Sequence, residues 1–137
     1  NYLTDFEDGG QLSDLREVTR ILKQEKNINE KYIMSTHPAR AYYLGSNYLH
    51  LPANYRDSIE GIVSYKGFTY KIINSLPKYP SYCEAKKDFQ ADYIIFSKNV
   101  KDNRPDLKFL YEKNSTKIPE NFFNIYLSKN TAVYRIE

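Results

Sequence analysis

The sequence predicts an α/β fold: a small Rossmann-like layered sheet, mostly parallel, with a C-terminal antiparallel β-hairpin. Three observations predict it. First, the apolar segment Lys31 to Ser35 is followed closely by a short helical segment and a second strand, Tyr48 to Leu51. That order makes a compact βαβ unit, which is right-handed with parallel strands. Second, Tyr93-Ile94-Ile95-Phe96 is a continuous apolar run without polar alternation, the pattern of a strand buried on both faces. Third, Phe122 to Leu127 and Thr131 to Ile136 are separated by Ser128-Lys129-Asn130, a hairpin spacing.

The remaining elements follow in order. Asn1 to Gly10 is acidic, contains Gly9 and Gly10, and reads as a linker from an upstream segment. Residues 11–137 then form one domain. Gln11 to Lys26 is predicted helical because Leu12, Leu15, Val18, Ile21 and Leu22 recur on one face. After the strand at Lys31 to Ser35, Thr36 or His37 can cap a helix over Pro38 to Leu44. Pro38 suits its first turn and Gly45 its end. Pro52 closes the following strand. Asp57 to Tyr65 is predicted helical from Ile59, Ile62 and Val63, with Gly67 beyond its end. Phe68 to Ile73 is predicted as a strand, Asn74 to Pro80 as a loop and Tyr82 to Gln90 as a helix. Ala91 to Ser97 is the buried strand, Lys98 to Arg104 a loop and Pro105 to Lys113 a helix. A further loop, Asn114 to Glu120, leads into the hairpin.

Composition bounds the function. The chain has 137 residues, the length of one domain. It starts at Asn1 rather than Met, and we read it as a domain cut from a larger protein. Leu, Ile, Val and Phe account for 34 residues, about a quarter of the chain, so a core can form. No apolar run approaches the ~18 residues of a membrane span, and no signal or transit peptide is visible. Twenty basic and 17 acidic residues leave a net charge of +3, with both signs interspersed. Nucleic-acid domains concentrate their basic residues more strongly. The single Cys83 leaves no internal disulfide, and together with His37 and His50 it makes no zinc ligand set. Fourteen Tyr with no Trp suit half-buried strands, or a surface that stacks sugars or bases.

The motifs are sparse. Glycines at 9, 10, 45, 61 and 67 match neither a dinucleotide fingerprint nor a P-loop, and no nucleophile elbow is present. No catalytic, cofactor-binding or metal-binding residue is assigned. Glu84-Ala85-Lys86 has a nuclease-like spacing but sits in a predicted helix beside Lys87 and Asp88, where a solvated charged face is expected. Asn114-Ser115-Thr116 is an N-glycosylation pattern of the kind chance supplies in a chain this long. The most suggestive feature is Ser35-Thr36-His37-Pro38-Ala39-Arg40, which follows a strand and opens a helix. Backbone N–H groups there favour anions, and ligands in open α/β sheets gather at the carboxyl ends of strands. Thr36, His37 and Arg40 are therefore the candidate anion- or ligand-binding residues, set against a purely helix-capping role.

Two segments carry a family resemblance. One is Tyr32-Ile33-Met34-Ser35-Thr36-His37-Pro38 with Ala41-Tyr42-Tyr43-Leu44-Gly45 and Leu49-His50-Leu51-Pro52. The other is Ala91-Asp92-Tyr93-Ile94-Ile95-Phe96 with Leu110-Tyr111, Phe123 to Tyr126 and Val133-Tyr134-Arg135-Ile136. Together they resemble the soluble C-terminal tails of polytopic GT-C membrane glycosyltransferases, the dolichyl-phosphate-mannose protein mannosyltransferase-like and aminoarabinose transferase-like enzymes. In those tails a strand ends in a Thr/Ser-x-Pro turn, a short helix carries Tyr-Tyr-x-Gly, and the next strand closes with Pro. The resemblance covers about Leu12 to Ile136, and its motifs are mostly structural. It implies an extracytoplasmic, non-catalytic domain of an integral membrane protein, partnered by the upstream transmembrane region and by a glycan or protein acceptor. The parent would transfer a sugar from a polyprenyl-phosphate donor, with its catalytic carboxylates upstream of this chain and no cofactor here. Two alternatives are a Rossmann-like small-ligand or anion-binding module, and a small nucleic-acid-binding or nuclease domain.

Overall fold

The apolar run 93–96 becomes the middle of a sheet in the computed structural model, which describes residues 14–51, 61–72, 91–97, 105–111 and 118–137. Seven strands are described: β1 (Tyr32–Ser35), β2 (Asn47–His50), β3 (Gly61–Tyr65), β4 (Phe68–Ile72), β5 (Tyr93–Ser97), β6 (Phe122–Leu127) and β7 (Thr131–Ile136). Five of them form one sheet in the order β2-β1-β5-β7-β6, and β3 pairs with β4 separately. β1 runs parallel to β2 and to β5. β7 is antiparallel to both β5 and β6. Only β7 therefore opposes the common direction, which is the mostly parallel sheet with a C-terminal antiparallel hairpin that the pattern predicts.

β5 is buried at every position, so both of its faces must be covered. Tyr93 and Ile95 face one apolar cluster, in which Val18 and Leu22 of α1 (Leu15–Leu22) meet Ile33, Tyr48 and Val133. Ala41 of α2 (Ala39–Tyr42) and Ile28 of a 3-10 turn (Ile28–Glu30) complete that layer. Ile94 and Phe96 face the other cluster, with Met34, Leu49 and Tyr134 covered by Leu107, Phe109 and Leu110. The alternation of side-chain direction along β5 thus sorts its residues into two layers with the period of two that a strand imposes.

Of the 11–26 expectation the structure describes residues 14–26, and the helix there runs Leu15–Leu22. Asp14 takes a left-handed conformation, φ 62°, which starts the helix at Leu15, and Asn27, φ 55°, turns the chain again. Asp14 also ties the helix to the hairpin turn, because the Ser128 hydroxyl donates to its carboxylate. Ser128 shapes that turn as well. Its Oγ accepts from the backbone N–H of Asn130 at 3.1 Å and of Thr131 at 3.0 Å. At the other end of α1, Tyr93 donates its hydroxyl to Glu25 at 2.7 Å, and Arg135 reaches the same carboxylate oxygen at 3.3 Å.

One expectation needs correction. Asp57 to Tyr65 was expected to be helical, yet Gly61–Tyr65 is strand β3. Ile59, Ile62 and Val63 fit a helical face, but Ile and Val also favour strands, and the partner strand decides between them. β3 and β4 pair in register from Gly61↔Ile72 to Tyr65↔Phe68. Lys66 (φ 48°) and Gly67 (φ 84°) form the two-residue turn, with positive φ at both positions as type I′ requires. Pro105 to Lys113 was expected to be a helix, and its described part, Pro105–Tyr111, is a helix of the 3-10 type. Its three-residue period stacks Leu107 over Leu110, so both reach the sheet. The linker Asn1 to Gly10, the loop Asn74 to Pro80, the helix Tyr82 to Gln90 with Cys83 and Glu84-Ala85-Lys86, the loop Lys98 to Arg104 and the triplet Asn114-Ser115-Thr116 lie outside the described residues.

Gly45 closes α2 with a Schellman pattern. Ser46 N–H donates to Ala41 C=O at 3.0 Å, and Gly45 N–H to Tyr42 C=O at 3.1 Å. The pattern needs a left-handed residue, and Gly45 has φ +67° with open space where a Cβ would stand. Gly45→Ala is therefore expected to cost about 1 kcal/mol through backbone strain alone. Gly45→Asn should cost less, and urea denaturation of both variants reads the difference.

Tyr134 is buried, and its hydroxyl donates to Leu110 C=O at 2.7 Å, holding the 3-10 helix to β7. Burial pushes its pKa up to about 12. Burial first, then the hydrogen bond to Glu25, raises that of Tyr93 as well. In both cases the fold favours the neutral phenol, so the native chain binds more protons than the unfolded chain above the usual tyrosine range. The contribution of Tyr134 is fully present below pH ~10 and lost as pH rises through about 12. Tyr134→Phe should lower neutral-pH stability by about 1–2 kcal/mol, because Leu110 C=O loses its donor. It should also flatten the fall in stability between pH ~10 and ~12, as seen in melting temperatures measured across that range.

Candidate functional site

In the strand order β2-β1-β5, the chain leaves β1 to build β2 on one side and later returns to build β5 on the other. This is a topological switch point, and its carboxyl edge is where open α/β sheets hold ligands. The candidates Thr36, His37 and Arg40 all lie there, in the turn from β1 into α2. Ser97, at the end of β5, and Tyr48 and His50, in β2, join them.

The hydrogen bonds at this edge run inward. Ser35 Oγ donates to His37 C=O at 2.8 Å, which closes the turn. The N–H of Ala39, the first residue of α2, donates to His37 Nδ1 at 3.1 Å. His37 is thus the capping side chain, its Nδ1 carries a lone pair, and its ring proton resides on Nε2 when the ring is neutral. Thr36 is buried beside it. Arg40 is only 1% exposed, and its Nη2 donates to Ser97 Oγ at 3.0 Å. That bond joins α2 to the end of β5 across the switch point.

A second histidine lies on the neighbouring strand. The Tyr48 hydroxyl donates to Ser35 C=O at 2.9 Å and contacts His50 Nδ1 at 2.8 Å. A carbonyl only accepts, so the one phenolic proton goes to Ser35, and His50 Nδ1 must donate to the Tyr48 oxygen. Neutral His50 therefore carries its proton on Nδ1, the opposite tautomer to His37. Ser35 C=O also accepts from Leu51 N–H at 2.8 Å, which uses both of its lone pairs.

The sequence placed Thr36, His37 and Arg40 together but missed Ser97 and the Tyr48–His50 pair. Nothing local signals Ser97, whose role comes from strand order. Tyr48 and His50 are two apart on one strand and so share a face, which is a readable signal. An aromatic group flanks the turn. Tyr65 stands edge-on to His37 at 5.3 Å and to Tyr42 at 5.3 Å between ring centres.

At the opposite edge of the sheet, Lys31, Asp92, Tyr93, Arg135, Ile136 and Glu137 line a cleft of about 140 Å³. That is below the ~300 Å³ at which small-molecule sites begin. Its arginine already pairs: Arg135 reaches Glu25 at 3.3 Å and Glu137 at 3.5 Å. Asp92 accepts from Tyr32 N–H at 3.0 Å. Among the described residues no group of three or more His, Cys, Asp or Glu could hold a metal ion. No described helix is long and apolar enough to cross a membrane.

Compared with family models, curated proteins and solved structures, the chain matches none.

The edge geometry has a measurable consequence. Arg40→Ala removes a long buried side chain and strips Ser97 of its donor, so it should cost about 2–4 kcal/mol in urea denaturation. Arg40→Lys should recover only part of this, because a lysine supplies a buried chain without the planar guanidinium fork.

Proposed function

We propose that this chain is a non-catalytic, soluble C-terminal domain of a polytopic membrane glycosyltransferase of the GT-C class. In this reading it lies on the extracytoplasmic face and serves acceptor recognition or stabilisation. The observation that carries the reading is the β1–α2–β2 unit. Its Thr36-His37-Pro38 turn, its Tyr42-Tyr43-Leu44-Gly45 helix end and its parallel second strand follow in the order of those tails. The β5, 3-10 helix and β6–β7 hairpin succession supports the same reading. The polar groups of the edge support a scaffolding role: His37 caps α2, Arg40 braces Ser97, and Tyr48 braces Ser35. The anion-binding alternative asks for donors that face outward, whereas Ala39 N–H and Arg40 Nη2 donate within the protein. The sugar-transfer chemistry itself belongs to the parent protein in this reading, so no step of it is assigned to residues of this chain.

The test is the hydropathy of the reading frame upstream of Asn1. The expected result is a series of apolar stretches of about 20 residues each, with an acidic pair in the first extracytoplasmic loop. A short soluble upstream region, or none, overturns the reading.

A further inference from the structure

The two histidines at the carboxyl edge hold their protons on opposite ring nitrogens, so acid acts on them differently. His37 accepts the Ala39 N–H at Nδ1, 3.1 Å away. A proton added to neutral His37 must go to that nitrogen, because Nε2 already carries one. Protonation therefore removes the acceptor and sets two donors against each other. His50 already donates from Nδ1 to the Tyr48 oxygen at 2.8 Å. Its added proton goes to Nε2 and leaves that bond in place.

The surroundings of His37 sharpen the difference. Its ring packs edge-on with Tyr65 of β3 at 5.3 Å, and Tyr65 packs in turn with Tyr42 of α2. Tyr48 of β2 reaches the Ser35 carbonyl at the start of the turn, with His50 bonded behind it. Three residues beyond His37, Arg40 is a buried cation bonded to Ser97. The carboxylates Glu25, Asp92 and Glu137 gather at the opposite edge of the sheet, and Asp14 accepts from Ser128. A proton on His37 thus adds a second positive charge to the segment that already buries Arg40, and like charges disfavour it. α2 is only four residues long, and the N–H that His37 holds is that of its first residue. Loosening that entry passes to Arg40, the second residue of α2, and so to its bond with Ser97.

We propose that His37 is an acid-sensitive latch on the β1–α2 turn. The neutral ring holds Ala39 N–H and fixes α2 at the sheet edge; the protonated ring releases that N–H and loosens the turn. The fold favours the neutral ring, so the native chain binds fewer protons than the unfolded chain in the imidazole range. The stabilisation is fully present above the ordinary histidine midpoint, pH ~6.5, and is lost as pH falls below it.

Thermal melting of the whole chain between pH ~8 and ~5 tests the latch. The melting temperature is expected to fall by about 4 °C across that range. His37→Asn should keep the melting temperature at the upper end, since its side-chain oxygen accepts the same N–H, and should abolish the fall. His50→Gln should retain the fall. A flat wild-type profile, a fall that persists in His37→Asn, or one that His50→Gln removes overturns the inference. Nitrogen–proton correlation spectra of the unsubstituted chain read the same event without relying on a variant. The Ala39 amide proton should move upfield, as its hydrogen bond is lost, with the midpoint of the His37 ring. An Ala39 resonance that stays in place or moves downfield through that titration also overturns it.

Discussion

A strand that is buried on both faces demands a layer on each side, and β5 imposes that demand on the whole chain. Its neighbours supply its edges, β1 in parallel and β7 in antiparallel pairing. Its side chains then divide: Tyr93 and Ile95 toward α1 and α2, Ile94 and Phe96 toward the 3-10 helix at Pro105–Tyr111. A one-residue slip in its register would exchange these two sets and strand every large side chain on the wrong face. The βαβ unit and the C-terminal hairpin come from opposite ends of the sequence, and β5 joins them into one sheet.

The polar groups near β5 serve the same end. Arg40 is a buried cation at the edge of the sheet, and its bond to Ser97 links the segment that follows β1 to the last residue of β5. Tyr48 does the equivalent between β2 and β1 through Ser35 C=O. At the amino edge, Glu25 gathers the Tyr93 hydroxyl and the Arg135 guanidinium and fastens the end of α1. Each of these groups sits where a strand ends and its ladder of backbone bonds runs out. Only the Tyr48 bond ends on a backbone group, the Ser35 carbonyl; the Arg40 and Glu25 bonds join side chains to one another.

Local pattern carried much of the fold. The strands at 32–35, 47–50 and 93–97, the short helix ended by Gly45 and the terminal hairpin were all legible, because each depends on neighbours within a few residues. The strand at 61–65 was not, since Ile62 and Val63 satisfy helical and extended spacing alike. The usable signal was the Lys66-Gly67 pair between two apolar runs, a two-residue hairpin turn. The 3-10 geometry at 105–111 was equally hidden, as it follows from stacking Leu107 and Leu110 on a sheet built by other segments. Thr36, His37 and Arg40 were found from their place after a strand, but their bonding directions were not.

The sequence by itself determined the α/β class, the parallel βαβ unit, the doubly buried strand and the closing hairpin. Periodicity, prolines and one left-handed glycine are properties of short stretches and act before any tertiary contact exists. Strand order, the Arg40–Ser97 brace and the Tyr93–Glu25 bond were decided only in the tertiary structure. Each of them joins residues far apart in the chain, which a linear pattern does not encode.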